Sequence, residues 1–121
     1  MEKKKPRKDT LIKLQRRKGK FREQVMRDKD LPGAHRCCLW FAADCMTMTD
    51  TALHFEETKS VVIKPSQKGL AIRAGVSHNT ANSAIKNAIK EGHLQMLFKG
   101  SGMVGNSEYR VMLKPSEQRT K

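Results

Sequence analysis

Hydrophobic and polar residues follow different rhythms along this chain, and each rhythm predicts its own element. From His78 to Glu91 the apolar residues return at Ala81, Ala84, Ile85, Ala88 and Ile89, the spacing of an amphipathic helix. Ser77 offers its hydroxyl to the unpaired amides of the first turn, and Gly92 ends the run. A shorter helix is predicted upstream, capped by Ser66 behind Pro65 and running through Leu70, Ala71 and Ala74. Gly75 stops it, because glycine takes the left-handed conformation without a Cβ clash.

Ala34 to Met48 is apolar nearly all round, with Cys37, Cys38, Leu39, Trp40, Phe41, Ala42, Cys45 and Met46. That pattern predicts a core helix after the turn Leu31-Pro32-Gly33, with Trp40 and Phe41 as core residues. Three β-branched residues, Val61, Val62 and Ile63, make Ser60 to Lys64 a short strand. Leu94 to Lys99 and Glu108 to Leu113 alternate like half-buried strands around the glycine-rich Gly100 to Ser107, which predicts a hairpin with a long loop. Thr47 to Lys59 has no clear period and reads as a loop. Near the N-terminus, Leu11, Leu14, Phe21 and Val25 fall toward one side of a helix that Lys18 and Gly19 interrupt. Such a helix is expected to form against a partner or the core.

The order of elements gives an α+β, mainly helical chain. Residues 1–30 form a basic N-terminal arm or helix, 31–114 a single domain and 115–121 a tail. The 121 residues suffice for one modest core. Charge changes the picture most. Lys and Arg number 25 against 12 Asp and Glu, a net +13, with +8 on residues 1–30, −2 on 31–60 and +7 on 61–121. Such a molecule repels itself unless it meets a polyanion, and nucleic acid is the polyanion that fits. No stretch approaches the ~20 apolar residues of a membrane span. Cys37, Cys38 and Cys45, odd in number and set in an apolar stretch, suit a reducing compartment as buried thiols. A cytoplasmic, nucleoid-associated location is expected, with no membrane partner.

Gln67 to Asn87 has the spacing of a helix-turn-helix. Two short helices crossing steeply need a small residue where their backbones meet, a turn residue without Cβ and an apolar plug at the corner. Ala71, Gly75 and Val76 fill those places. The outer face of the second helix would carry His78, Asn79, Asn82, Ser83, Lys86, Asn87 and Lys90, none of them acidic. Ser77 and Thr80 would sit on phosphates, while Asn79, Asn82, Ser83, Lys86 and Asn87 face base edges, where an Asn pairs with adenine through two hydrogen bonds. Ser66, Gln67 and Lys68 at the start of the first helix join them. Lys99, Ser101 and Arg110 on the hairpin, with Arg16, Arg17, Lys18 and Lys20 in the N-terminal segment, would add affinity independent of sequence.

The run PSQKGLAIRAGVSHNTANSAIKNAIKEGHLQM, followed by a glycine-rich hairpin, resembles the winged helix-turn-helix module of bacterial GntR-type repressors and their relatives. The resemblance covers roughly Ile63 to Leu113, and the ligand-binding domain such regulators usually carry is not expected here. It implies a winged helix in which Ser77, His78, Thr80 and Asn82 contact DNA and a wing tip at Ser101 to Gly105 lies near the minor groove. Where that group often has Arg, this chain has His78 and Asn82, so the base preference does not carry over.

The expected function is therefore sequence-specific binding of double-stranded DNA by a homodimer or cooperative multimer, as in a transcriptional regulator. An accessory or architectural factor in replication, partition or recombination of a plasmid or phage fits the same residues, and RNA binding is a third reading. His35 with the three cysteines lacks the paired CxxC spacing of a metal site. His54, His78 and His93 have no carboxylate or nucleophile at a telling spacing, so neither enzyme activity nor a cofactor or metal is expected.

Overall fold

Two serine hydroxyls start the helices at the centre of the chain as the pattern predicts. Gly69 N–H donates to Ser66 Oγ (3.1 Å) at the head of α4 (Gln67–Ala74), and Thr80 N–H donates to Ser77 Oγ (3.1 Å) at the head of α5 (His78–Lys90). Gly75 ends α4 at φ 69°, and Gly92 follows α5 at φ 83°. The computed structural model describes residues 5–100 and 107–114. The expected wing tip, Ser101 included, the tail 115–121 and residues 1–4 lie outside the described residues.

In chain order the elements before the pair are α1 (Lys8–Arg27), α2 (Gly33–Ala42), a 3-10 turn (Ala43–Thr47), α3 (Thr49–Thr58) and β1 (Val62–Ile63); β2 (Leu94–Phe98) and β3 (Glu108–Val111) follow it. The result is an α+β protein, mainly helical, with a three-stranded antiparallel sheet ordered β1-β3-β2. α2 is the central element: Cys38, Leu39 and Ala42 are wholly buried, and it packs against α1 on one flank and α4 and α5 on the other. Leu14, Phe21 and Val25 of α1 are also fully buried. Each such large side chain contributes about 1.5–3 kcal/mol, so the N-terminal helix is part of the core. Among the described residues no helix is long and apolar enough to cross a membrane.

Five expectations are corrected. Thr47 to Lys59 is not a loop: it holds the end of the 3-10 turn and α3, which buries Thr51, Ala52 and Phe55. Its N-cap, Met48, has no capping side chain and its C-cap, Lys59, is left-handed at φ 64° without being glycine, so both usual end signals are missing. The helix from Ala34 does not run on to Met48, because it tightens into the 3-10 turn after Ala42. Trp40 is not a core residue: it is 41% exposed, with the Arg22 guanidinium stacked 4.5 Å from its ring centre, and Cys37 is exposed as well. β2 does not alternate, since only Leu94 is buried and Met96, Leu97 and Phe98 are 40–43% exposed. It is an edge strand that runs past the core, and a register shift between Met96 and Phe98 breaks the period.

Three polar clusters join distant parts of the chain. Asp44, just past α2, accepts from Arg73 of α4 (2.6 Å) and from Arg22 (2.8 Å) and Lys18 (3.2 Å) of α1. Glu56 of α3 serves as the missing cap of α1, accepting from the Arg7 amide (2.6 Å) and the Thr10 hydroxyl (2.8 Å). His93, 1% exposed, lies between α1 and the base of the hairpin, with Nε2 2.7 Å from Asp28 and Nδ1 2.8 Å from Gln24 Nε2.

Burial pushes the Asp44 carboxyl up, but the hydrogen bonds from Lys18 and Arg73 and the charge of Arg22 outweigh it and hold the group below its ordinary value. Asp28 is likewise raised by burial and brought lower on balance by the His93 hydrogen bond and the Asp30 amide. A carboxyl depressed in the folded state contributes stability that is complete above its unfolded pKa and disappears as pH falls through the folded one. The urea midpoint should therefore drop on acidification below the ordinary carboxylate range. Asp44→Asn should cost about 2 kcal/mol at neutral pH and flatten that acid slope, because an amide does not titrate. An unchanged slope in the variant would remove Asp44 from this account.

Candidate nucleic-acid interface

The corner between α4 and α5 is built as its residue types require. Ala71, Ala81 and Ala84 are buried, and the Val76 amide donates to the Ala71 carbonyl at 3.0 Å. Val76 itself is half-buried against the core as the plug. α5 buries Ala81, Ala84, Ile85 and Ala88, which fixes the face it turns outward.

That face is narrower than the sequence suggests. Asn79, Ser83, Lys86 and Lys90 are exposed in one row along α5 at i, i+4, i+7 and i+11. Asn82 and Asn87 lie on the two flanks instead of on the row. Asn82 Oδ1 accepts from Gln67 Nε2 of α4 (2.9 Å), and Asn87 Nδ2 is 2.8 Å from His35 Nδ1 of α2. Both are half-buried and fasten α5 to its neighbours. The signal for this was available in the helical period, since each sits one step from the apolar stripe, but their partners are 15 and 52 residues away.

The remaining candidates divide the same way. Ser77 and Thr80 hydroxyls are 3.0 Å apart within the cap, and the Ser66 hydroxyl is engaged at its own cap. Lys68 and His78 are exposed in the first turns, and Lys99 and Arg110 on the hairpin side, with Arg110 Nη1 3.4 Å from Gln95. Lys18 is mostly covered, its ammonium held by Asp44. Arg16, Arg17 and Lys20 are exposed on α1, which lies across α2 from α5.

Electrostatics favour an anion at the α4–α5 surface. No acidic residue occurs from Ser60 to Lys90. Neither helix has an acid in its first turn, so the partial positive charge of each N-terminus is left uncompensated, and Lys68 adds to it. Metal chemistry has less to build on. Burial pushes the Cys38 and Cys45 thiols up, which weakens them as ligands. Asp28, Asp30 and Glu91 place ligand atoms within 4.8 Å of one another. Asp28, however, is already bonded to His93, a carboxylate partner 65 residues away that spacing did not reveal.

Neither a protein-family model, nor a curated protein, nor a solved structure matches this chain. The assignment of faces can be checked without a ligand. Asn87→Ala should destabilise the protein by about 1 kcal/mol, because it leaves half-buried His35 without its partner, whereas Lys86→Ala one position away should change stability by less than about 0.5 kcal/mol. Urea denaturation of the two variants measures this. Equal costs would mean that the flank and the row have been confused.

Proposed function

We propose that this chain is a winged-helix protein that binds double-stranded DNA, laying α5 in the major groove and the β2–β3 hairpin against the flanking backbone. The observation that carries the reading is the acid-free row Asn79, Ser83, Lys86 and Lys90 on the second helix of a helix-turn-helix, with a hairpin directly after it. A helix, strand, helix pair and hairpin in a sheet ordered β1-β3-β2 is the arrangement expected of a winged helix. The row supplies amide and hydroxyl groups that can both donate and accept at base edges, with lysines toward its C-terminal end for phosphates.

Gln67 and Asn82 take a different part in this reading from the one their residue types suggest alone. Their mutual hydrogen bond fixes the angle of α4 to α5, and their remaining polar groups stay available at the edge of the interface. Ser66 and Ser77 hold the helix N-termini in place, where phosphates would meet backbone amides. Lys99 and Arg110 add affinity that does not depend on sequence. One module of this size spans few base pairs, so useful specificity calls for a homodimer or tandem copies. A transcriptional regulator is the role that a sequence-reading helix serves most directly.

Selection of bound sequences from random duplexes tests the reading, with structured RNA as competitor. Asn79→Ala and Ser83→Ala should relax the preferred site and cost about 1–3 kcal/mol on it. Lys99→Ala and Arg110→Ala should weaken all duplexes alike and shrink the salt slope by about 0.9 for each phosphate that is no longer neutralised. Tighter binding of structured RNA than of any selected duplex would overturn it.

A further inference from the structure

α1 sorts its cations into two sets. Lys18 and Arg22 lean toward α2 and are neutralised by Asp44, while Arg22 also stacks on Trp40. Lys13, Arg16, Arg17 and Lys20 lie to the other side of the buried stripe of Leu14, Phe21 and Val25 and are exposed. Their spacing, i, i+3, i+4 and i+7, aligns them in one row two turns long. No acidic residue occurs from Thr10 to Arg22. Lys13, Arg16 and Lys20 make no ion pair among the described residues, and Arg17 rests its guanidinium 5.1 Å from the Phe55 ring centre. A helix needs no such row for its own stability, since four like charges one turn apart repel.

The position of this row sets it apart from the α5 surface. α1 packs on α2, the 3-10 turn and α3, whereas α5 packs on α2, α4 and β2, so α2 stands between them. Both helices are seated in the same core, which prevents α1 from swinging round to follow a duplex held by α5. We infer that the α1 row is a second phosphate-binding surface, and that the protein bridges two segments of duplex DNA, one on α5 and one on α1. This rests on the reading of α5 as the first DNA surface. The second surface is assigned to phosphates, because the row consists only of exposed lysine and arginine, whose phosphate contacts give affinity independent of sequence. A bridging protein also fits the architectural alternative better than a simple repressor does.

The test uses the full chain, an immobilised duplex and a free fluorescent duplex. The wild type should retain the free duplex on the immobilised one. Lys13→Gln/Arg16→Gln/Lys20→Gln, which alters only exposed side chains, should lose that retention by about tenfold or more while single-duplex affinity and its salt slope stay as in the wild type. An unchanged melting temperature checks that this variant is folded, and the single variant Arg16→Gln, with a partial loss, serves if the triple one is not. Bridging that survives the triple substitution would overturn the proposal, as a dimer with two α5 surfaces would behave that way. So would a joint fall of bridging, single-duplex affinity and salt slope, which would place the row on the same duplex as α5. A wild type that binds single duplexes but never bridges them defeats the second surface only; one that binds no duplex defeats the α5 reading with it.

Discussion

A chain with 25 cations and 12 anions can bring two basic helices onto one core only if their inward-leaning charges meet a counter-charge, and Asp44 is where they do. One carboxylate takes Lys18 and Arg22 from α1 and Arg73 from α4 at the end of α2. The apolar burial of Leu14, Phe21, Leu39 and Ile63 supplies most of the driving force. What Asp44 supplies is permission for the helices that carry those residues to approach each other. Aromatic faces add to it: Arg22 lies 4.5 Å from the Trp40 ring centre and Arg73 5.0 Å from that of Phe41. This also accounts for the exposed position of Trp40, which works as a shelf for a cation instead of filling the core.

What could be read from the chain beforehand was whatever is written locally. Ser66, Gly75, Ser77 and Gly92 each act within one turn of themselves, and α4 and α5 begin and end where those residues say. The apolar stripe of α5 likewise named its buried residues. α3 was illegible because its punctuation is supplied by Met48 and left-handed Lys59, residue types that carry no such signal. α1 could be seen as a helix but not assigned a seat, since its cap is a carboxylate of α3 and its anchors include Asp44 and His93. The candidate interface was legible as a helix and only partly as a face. Asn82 and Asn87 share their residue type with Asn79; the helical period sets them on the flanks, but their partners Gln67 and His35, 15 and 52 residues away, could not be read from it.

The network around His93 bears on how the candidate interface is held. Gln24 donates from Nε2 to the Met112 carbonyl (3.0 Å) and accepts at Oε1 from the Lys114 amide (2.7 Å). Both partners are backbone groups with fixed roles, so the orientation of the Gln24 amide is fixed too. Its other N–H then meets His93 Nδ1, which must be the unprotonated nitrogen, and Nε2–H donates to Asp28. The Met112 amide closes the circuit on the His93 carbonyl at 2.9 Å. This circuit ties the C-terminal turns of α1 to the base of the hairpin. The hairpin's direction relative to α5 is therefore set by α1, through residues 88 and 90 positions apart in sequence.

This changes how the basic N-terminal segment must be understood. A flexible arm could be removed with no loss beyond its charges, and any fall in DNA affinity would then count phosphate contacts. α1 is not separable in that way. Removing it would uncover the apolar core that Leu14, Phe21 and Val25 close, leave Asp44 with Arg73 but without Lys18 and Arg22, and free the hairpin base from Gln24. The outward row can be interrogated only by substitutions that leave Leu14, Phe21, Gln24, Val25 and Asp28 in place. In this fold the same helix that displays charge on one side fixes, on the other, the angle of the hairpin relative to α5.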